Sequence, residues 1–200
     1  MNIIETAHES RVLKRRFRVI SEHLTKLIPS KVCVLDVGCG SGQIDRFILE
    51  HRKDIKIDGV DVLVREGAAI AVTEYDGNTL PCEDSSYDVV MFIDVLHHTE
   101  NVHRLLEEAK RVSRKFVILK DHTLAGFLAK QRLNFMDKVG NRRFGVTLPY
   151  NYYTKSEWLD VFEKLGFSID VWNPKLHLYP KPFSFVFDAN LHFIARLKKN

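Results

Sequence analysis

Val32-Cys33-Val34-Leu35-Asp36-Val37, then Gly38-Cys39-Gly40-Ser41-Gly42, then Gln43-Ile44-Asp45-Arg46-Phe47-Ile48 is the stretch that decides how this chain folds. The first six residues are a short apolar run of the kind that forms a strand buried on both faces of a sheet. Three alternating glycines make a turn, and Ile44, Phe47 and Ile48 recur behind it at helical spacing. Strand, glycine turn and helix together aim main-chain N–H groups and a helix start at a ligand. Gln43 stands where the dinucleotide fingerprint G-x-G-x-x-G needs its third glycine, and no lysine follows as in a triphosphate-binding P-loop.

Working outward, Leu13, Phe17, Ile20, Leu24, Leu27 and Ile28 mark one face of an opening helix that ends at Pro29, with Arg11, Lys14, Arg15, Arg16 and Arg18 on its other side. Downstream, 55–60 reads as a second strand closing on Asp61, 69–75 as a third and Tyr87–Ile93 as a central fourth. Val102, Leu105, Leu106, Ala109 and Val112 share a helical face before a fifth strand, Phe116–Leu119. Strands alternating with helices predict an α/β, Rossmann-like fold with a mostly parallel twisted sheet flanked by helices. Past residue 122, Thr154 and Glu157 form a capping box at a helix start, Gly166 is placed to stop that helix, and strands are expected at 167–172 and 191–197.

Two hundred residues at 45% hydrophobic and 28% charged suit one domain spanning 1–200, and exclude a disordered chain or a disulfide scaffold. Thirty basic against 26 acidic residues is too mild a balance to argue for nucleic acid. Cys33, Cys39 and Cys82 are odd in number and lack metal-like spacing, which predicts free thiols in a reducing compartment. Glu5 and Glu9 precede any long apolar run, so no signal peptide is expected; nor is a membrane span, and the chain reads as soluble and cytoplasmic.

VLDVGCGSGQ (34–43) resembles motif I of the class I S-adenosylmethionine-dependent methyltransferases. GVDV (59–62) resembles their second motif, and YDGNTLPCEDSSYDVVMFIDVLHH (75–98) their third and fourth, in the form of the small-molecule enzymes of the ubiquinone and menaquinone type. The resemblance covers roughly residues 30–122. It implies S-adenosyl-L-methionine as cofactor, with Gly38, Cys39 and Gly40 against its methionine part and Gly42 letting the helix pack close. It further implies Asp61 on the ribose hydroxyls, Val62 and Leu63 flanking the adenine, Asp76 and the Gly77 amide at the adenine edge, and Ile93 and Asp94 by the methionine amino group and methyl. Asp36 joins this set, or only braces the turn; Asp76 has the same plainer alternative as a turn initiator. One departure stands out. Only 14 residues (62–75) separate Asp61 from Asp76, so the connection between the second and third strands is shortened and its usual helix is expected to be missing.

In that chemistry the sulfonium supplies the electrophile, and a base is needed only for an un-ionised hydroxyl or carbon acid. His97 and His98 follow the fourth strand and Asp121-His122 the fifth, at the strand ends where α/β sheets bind ligands. His98, Asp121 and His122 are the catalytic candidates, with His97 behind them. Packing or helix capping is the other reading of the histidines, and a polar helix start that of Asp121-His122. Asp94 and Asp121 are too few carboxylates to suggest a metal. His23, His51 and His103 read as solvated, and so do Lys120, Arg142 and Arg143, whose other reading is to complement an acidic group on the substrate. Residues 8–28 and 123–153 are expected to form a substrate lid, the latter with Phe127, Phe135, Met136, Phe144, Tyr150, Tyr152 and Tyr153, of which more than half should be ordinary core. Ile93-Asp94-Val95-Leu96 lacks the [DNS]-P-P-[YFW] signature of amino-directed nucleic-acid enzymes. The reading is O- or C-methylation of a small apolar or aromatic acceptor. RNA or protein methylation, and cofactor binding without transfer, are the rivals; the sequence is silent on oligomeric state.

Overall fold

The computed structural model describes residues 3–141 and 151–199, with side chains over 12–138 and 151–199. In order come α1 (Ile3–Leu27), β1 (Cys33–Val37), α2 (Gln43–His51), β2 (Lys56–Asp61), β3 (Val72–Glu74), β4 (Tyr87–Ile93), a 3-10 turn (Leu96–His98) and α3 (Val102–Val112). There follow β5 (Ser113–His122), α4 (Ala129–Asn141), α5 (Lys155–Lys164), β6 (Phe167–Asn173), α6 (Ser184–Phe187) and β7 (His192–Lys199). The sheet order is β3-β2-β1-β4-β5-β7-β6, parallel except for β7, which runs antiparallel to both neighbours.

Strand β4 shows why the sheet sits in the middle. Val90 and Phe92 join a cluster with Leu105, Leu106 and Ala109 of α3 and Trp158 and Phe162 of α5. Val89 and Met91 join the opposite cluster, with Ile20 and Leu24 of α1 and Ile48 of α2. Alternate side chains of one strand therefore fill two cores, which is what an unbroken apolar run in a parallel sheet requires. The Thr154–Glu157 capping box forms, and Gly166 takes the left-handed conformation (φ 66°) expected of it.

Three expectations need correcting. Strand β5 does not stop at Leu119, because β7 pairs with it as far as His122 opposite His192. Asp121 and His122 are thus strand residues, not the polar start of a helix. Lys120 is fully buried rather than solvated. The third strand shrinks to Val72–Glu74 at the sheet edge, and no helix lies between β2 and β3, as the short spacing predicted. Among the described residues no helix is long and apolar enough to cross a membrane.

Candidate functional site

Two sets of polar groups line the carboxyl ends of the parallel strands. The first surrounds the glycine turn. Gly38 has φ 76°, and an added Cβ would lie 2.5 Å from Val95 Cγ2, so only glycine fits there. Asp61, at the end of β2, is buried; its Oδ2 accepts from the Gly40 amide at 2.7 Å and its Oδ1 from the Leu63 amide at 3.0 Å. Beyond it Val62, Leu63 and Val64 are exposed. Asp76 is exposed and takes the Asn78 and Thr79 amides at 2.8 and 2.7 Å, so it does initiate a turn, with Gly77 inside that turn at φ 81°. Beneath the glycine turn, Asp36 and Asp45 are buried together. Burial and mutual repulsion push Asp36 well above the usual carboxylate range, and burial takes Asp45 to about 6.

The second set lies past β4, under α4 and residues 151–153. Ile93 is buried at the strand end, and Asp94 after it has φ 58°, an uncommon conformation for a non-glycine residue. Its carboxylate pairs with Lys120 and with Arg16 from α1 at 3.2 Å. Burial opposes its charge, but Lys120, His122 and Arg16 hold Asp94 below the usual range. Lys120 Nζ also faces His192 Nδ1 at 3.4 Å, and His192 Nε2 meets the Phe187 carbonyl at 3.0 Å.

Asp121 pairs most closely with a residue the sequence ranked below the others. Its Oδ1 lies 2.7 Å from His97 Nδ1 and 3.6 Å from His122 Nδ1, while its Oδ2 accepts from the Leu96 amide at 3.0 Å. Although buried, Asp121 stays well below the carboxylate range because His97 and His122 face it. Burial pulls His97 down, yet Asp121, Asp137 and Asp94 leave it above its ordinary value. Burial, then His97 and Lys120, lower His122; burial and His97 lower His98 to about 4. The His98 ring packs on His97 with centroids 3.8 Å apart. Asp137 of α4, which sequence reasoning missed, sits 3.6 Å from His97 Nε2 and accepts from the Tyr152 hydroxyl. Trp158 Nε1 donates to the His122 carbonyl at 3.0 Å and fixes that strand end.

The lid residues divide. Tyr152 is buried in a small cluster with Ala129, Leu133 and Leu191, against which Met136 packs, and Tyr153 lies against Trp158. Phe127 and Phe135 are exposed and stand outside the core, Phe135 stacking on Phe187. Phe144, Tyr150, Arg142 and Arg143 lie outside the described residues. The basic side of α1 is not simply solvated, since Arg15 reaches the His177 carbonyl and Arg16 reaches Asp94. His23 meets the Leu176 carbonyl at 3.2 Å, while His51 and His103 are exposed as expected.

Residues 12–170 match a protein family described as a methyltransferase domain. Among curated proteins the chain is 34% identical over 114 residues to a bifunctional methionine biosynthesis protein MetXA/MetW of Rhodopirellula baltica, covering 50% of this chain and 18% of that one. It is 26% identical over 121 residues to a 27-O-demethylrifamycin SV methyltransferase of Amycolatopsis mediterranei, covering 53% and 44%. The chain thus spans less than half the length of either relative. Among solved structures, the complex between the Haloferax volcanii Trm112 methyltransferase activator and the putative methyltransferase superposes with TM-score 0.68 at 13% identity, covering 96% of this chain and 93% of that one. What the glycine turn and the strand order suggested, the match over 12–170 carries: the chain belongs to the methyltransferase-domain family, class I S-adenosylmethionine-dependent methyltransferases whose cofactor is S-adenosyl-L-methionine.

Proposed function

We propose that this chain methylates a small apolar or aromatic acceptor at oxygen or carbon, with quinol-like phenols as the first class to try. The observation that carries this reading is the buried cluster of imidazoles and carboxylates just past β4, beside Asp94. Such a cluster is suited to taking up a hydroxyl proton, a step that a neutral amine acceptor does not need before attack.

The donor half fits the cofactor. An added Cβ at Gly40 would meet only the Arg65 guanidinium within 4 Å, an ordinary contact at 3.9 Å with the end of a flexible side chain. On this reading Gly38, Cys39 and Gly40 cradle the methionine part, Asp36 braces the turn from below, and Gly42 brings α2 close. Asp61 takes the ribose hydroxyls, Val62 and Leu63 flank the adenine, Asp76 and Gly77 border it, and Ile93 and Asp94 close the methyl end. S-adenosylmethionine, when bound, supplies a methyl group already activated by its sulfonium.

The chain's own residues align the acceptor and keep water away. Burial and the nearby His97 and Lys120 favour the neutral form of His122, the form able to accept a proton. Asp121 serves as its orienting partner rather than as a base, because its charge is already engaged by His97. His98 borders the same space. On this reading residues 8–28 and the described parts of 123–153 form the lid, with Arg16 clasping Asp94. The inward turn of Arg15 and Arg16 weighs against a nucleic-acid face.

The test begins with the melting temperature in excess S-adenosylmethionine, S-adenosylhomocysteine or NADH. A ligand at a hundred times its Kd adds about 2.7 kcal/mol, so a rise with the adenosyl compounds alone is expected. Transfer of a labelled methyl group to phenols but not amines is expected next. Labelling of amines or RNA alone would overturn the acceptor class.

A further inference from the structure

We infer that His97, Asp121 and His122 form a binding site for one divalent first-row transition-metal ion, of the Zn²⁺, Mn²⁺ or Fe²⁺ type. The sequence offered too few carboxylates for a metal, but the fold brings two imidazoles to one of them. His97 Nδ1, Asp121 Oδ1 and His122 Nδ1 are separated by 2.7, 3.4 and 3.6 Å. A circle through three atoms so spaced has a radius of about 1.9 Å, so an ion about 2.1 Å from each sits just off their plane. Two imidazoles and one carboxylate on one side of an ion, with the other positions left open, form a recognised transition-metal ligand set.

The surroundings support the same ion. A histidine that binds metal through Nδ1 must carry its proton on Nε2, which then needs an acceptor. His97 Nε2 is buried and makes no hydrogen bond, and Asp137 Oδ2 lies 3.6 Å away, held by the Tyr152 hydroxyl. The Asp121 carboxylate is aimed by the Leu96 amide on its other oxygen. Charge points the same way. Asp94 is answered by Lys120 and Arg16, whereas buried Asp121 and Asp137 face only histidines within ion-pair distance among the described residues. The His97 imidazole is shared by these two carboxylates, and a divalent ion at its Nδ1 would answer both charges in full. Lys120 is neutralised by Asp94 and so does not oppose it.

The experiment titrates the whole chain, stripped of metal, with Co²⁺ and Zn²⁺. It reads stoichiometry by elemental analysis after dialysis, affinity by calorimetry, and ligand type from the visible bands of Co²⁺. One equivalent per chain is expected, with bands typical of nitrogen and oxygen ligands. His97→Gln, His122→Gln and Asp121→Asn should each weaken binding at least about 100-fold, while His51→Ala and His103→Ala leave it unchanged. Circular dichroism of the metal-free variants checks that each is folded, and His122→Asn serves as replacement for one that is not. Less than one equivalent bound, or undiminished affinity in folded His97→Gln and His122→Gln, overturns the site. His122 accepts a proton only in the ion-free protein and is a ligand in the loaded one; the readout is the metal itself, so the result is independent of whether the acceptor class above holds.

Discussion

The two halves of the strand edge solve the same problem differently. Around the glycine turn the key carboxylate, Asp61, is held by main-chain amides of Gly40 and Leu63. Past β4 the carboxylates depend on other side chains: Asp94 on Lys120 and Arg16, Asp137 on Tyr152, and Asp121 on His97 in addition to the Leu96 and His122 amides. Main-chain donors are fixed by the path of the chain, so Asp61 is in position whatever the rest of the molecule does. A side-chain network is right only when every member is present, because a buried charge left without its partner is costly. The glycine-turn half should therefore tolerate the loss of a single side chain with little cost to the fold, and the half past β4 should not.

The strongest challenge to this contrast is Lys120→Met, which strips the buried amine from Asp94 and from His192. It should destabilise the fold by about 3–5 kcal/mol in urea unfolding. A loss below about 1 kcal/mol would mean that Arg16 alone suffices and that the network is not interdependent. Gly38→Ala comes next. Forcing a side chain into φ 76° and against Val95 should cost about 3 kcal/mol by the same measurement, and Val95→Ala should recover only part of it, since the backbone strain remains. Asp61→Ala should weaken S-adenosylhomocysteine about 100-fold in calorimetry, with the melting temperature of the ligand-free protein lowered far less than in Lys120→Met.

The remaining two effects are smaller. Asp45 has its pKa raised from 3.8 to about 6, so the folded state holds its proton more tightly than the unfolded chain does. The resulting stability is complete below about pH 4 and is lost as pH rises through about 6. Asp45→Asn should flatten that slope in melting curves taken between pH 4 and 8; an unchanged slope assigns it to other groups. Thr154→Ala removes the cap of α5, the helix whose Trp158 pins the His122 carbonyl, and should cost about 1 kcal/mol in thermal unfolding.

The donor half was legible because its geometry lies in one contiguous stretch. Strand, Gly38, Gly40, Gly42 and helix are consecutive, and Asp61 ends the next strand, so spacing alone brings them together. The loss of the helix before β3 could be counted directly from 62–75. The acceptor half draws Arg16, His97, Asp121, Asp137, Tyr152 and His192 from six segments, and no local spacing links them. One signal was there: Lys120-Asp121-His122 continues the apolar run Val117-Ile118-Leu119 without a turn residue. Polar groups that extend a buried strand are themselves buried, and the antiparallel partner β7 that carries β5 so far is not visible from β5 itself. The same blindness made Lys120 look solvated and ranked His97 below His98.

With the cofactor seated as proposed, the shortened link between β2 and β3 sets no helix beside the adenine. On the proposed seating, a group added to the exocyclic nitrogen of the adenine would project past Val62 and Asp76 into solvent, where a helix would otherwise block it. Cofactor analogues enlarged at that nitrogen, which a closed pocket admits only after it has been carved by mutation, should bind the unaltered protein. Labelled donors of that kind would then single out chains with this short link from those with a longer one.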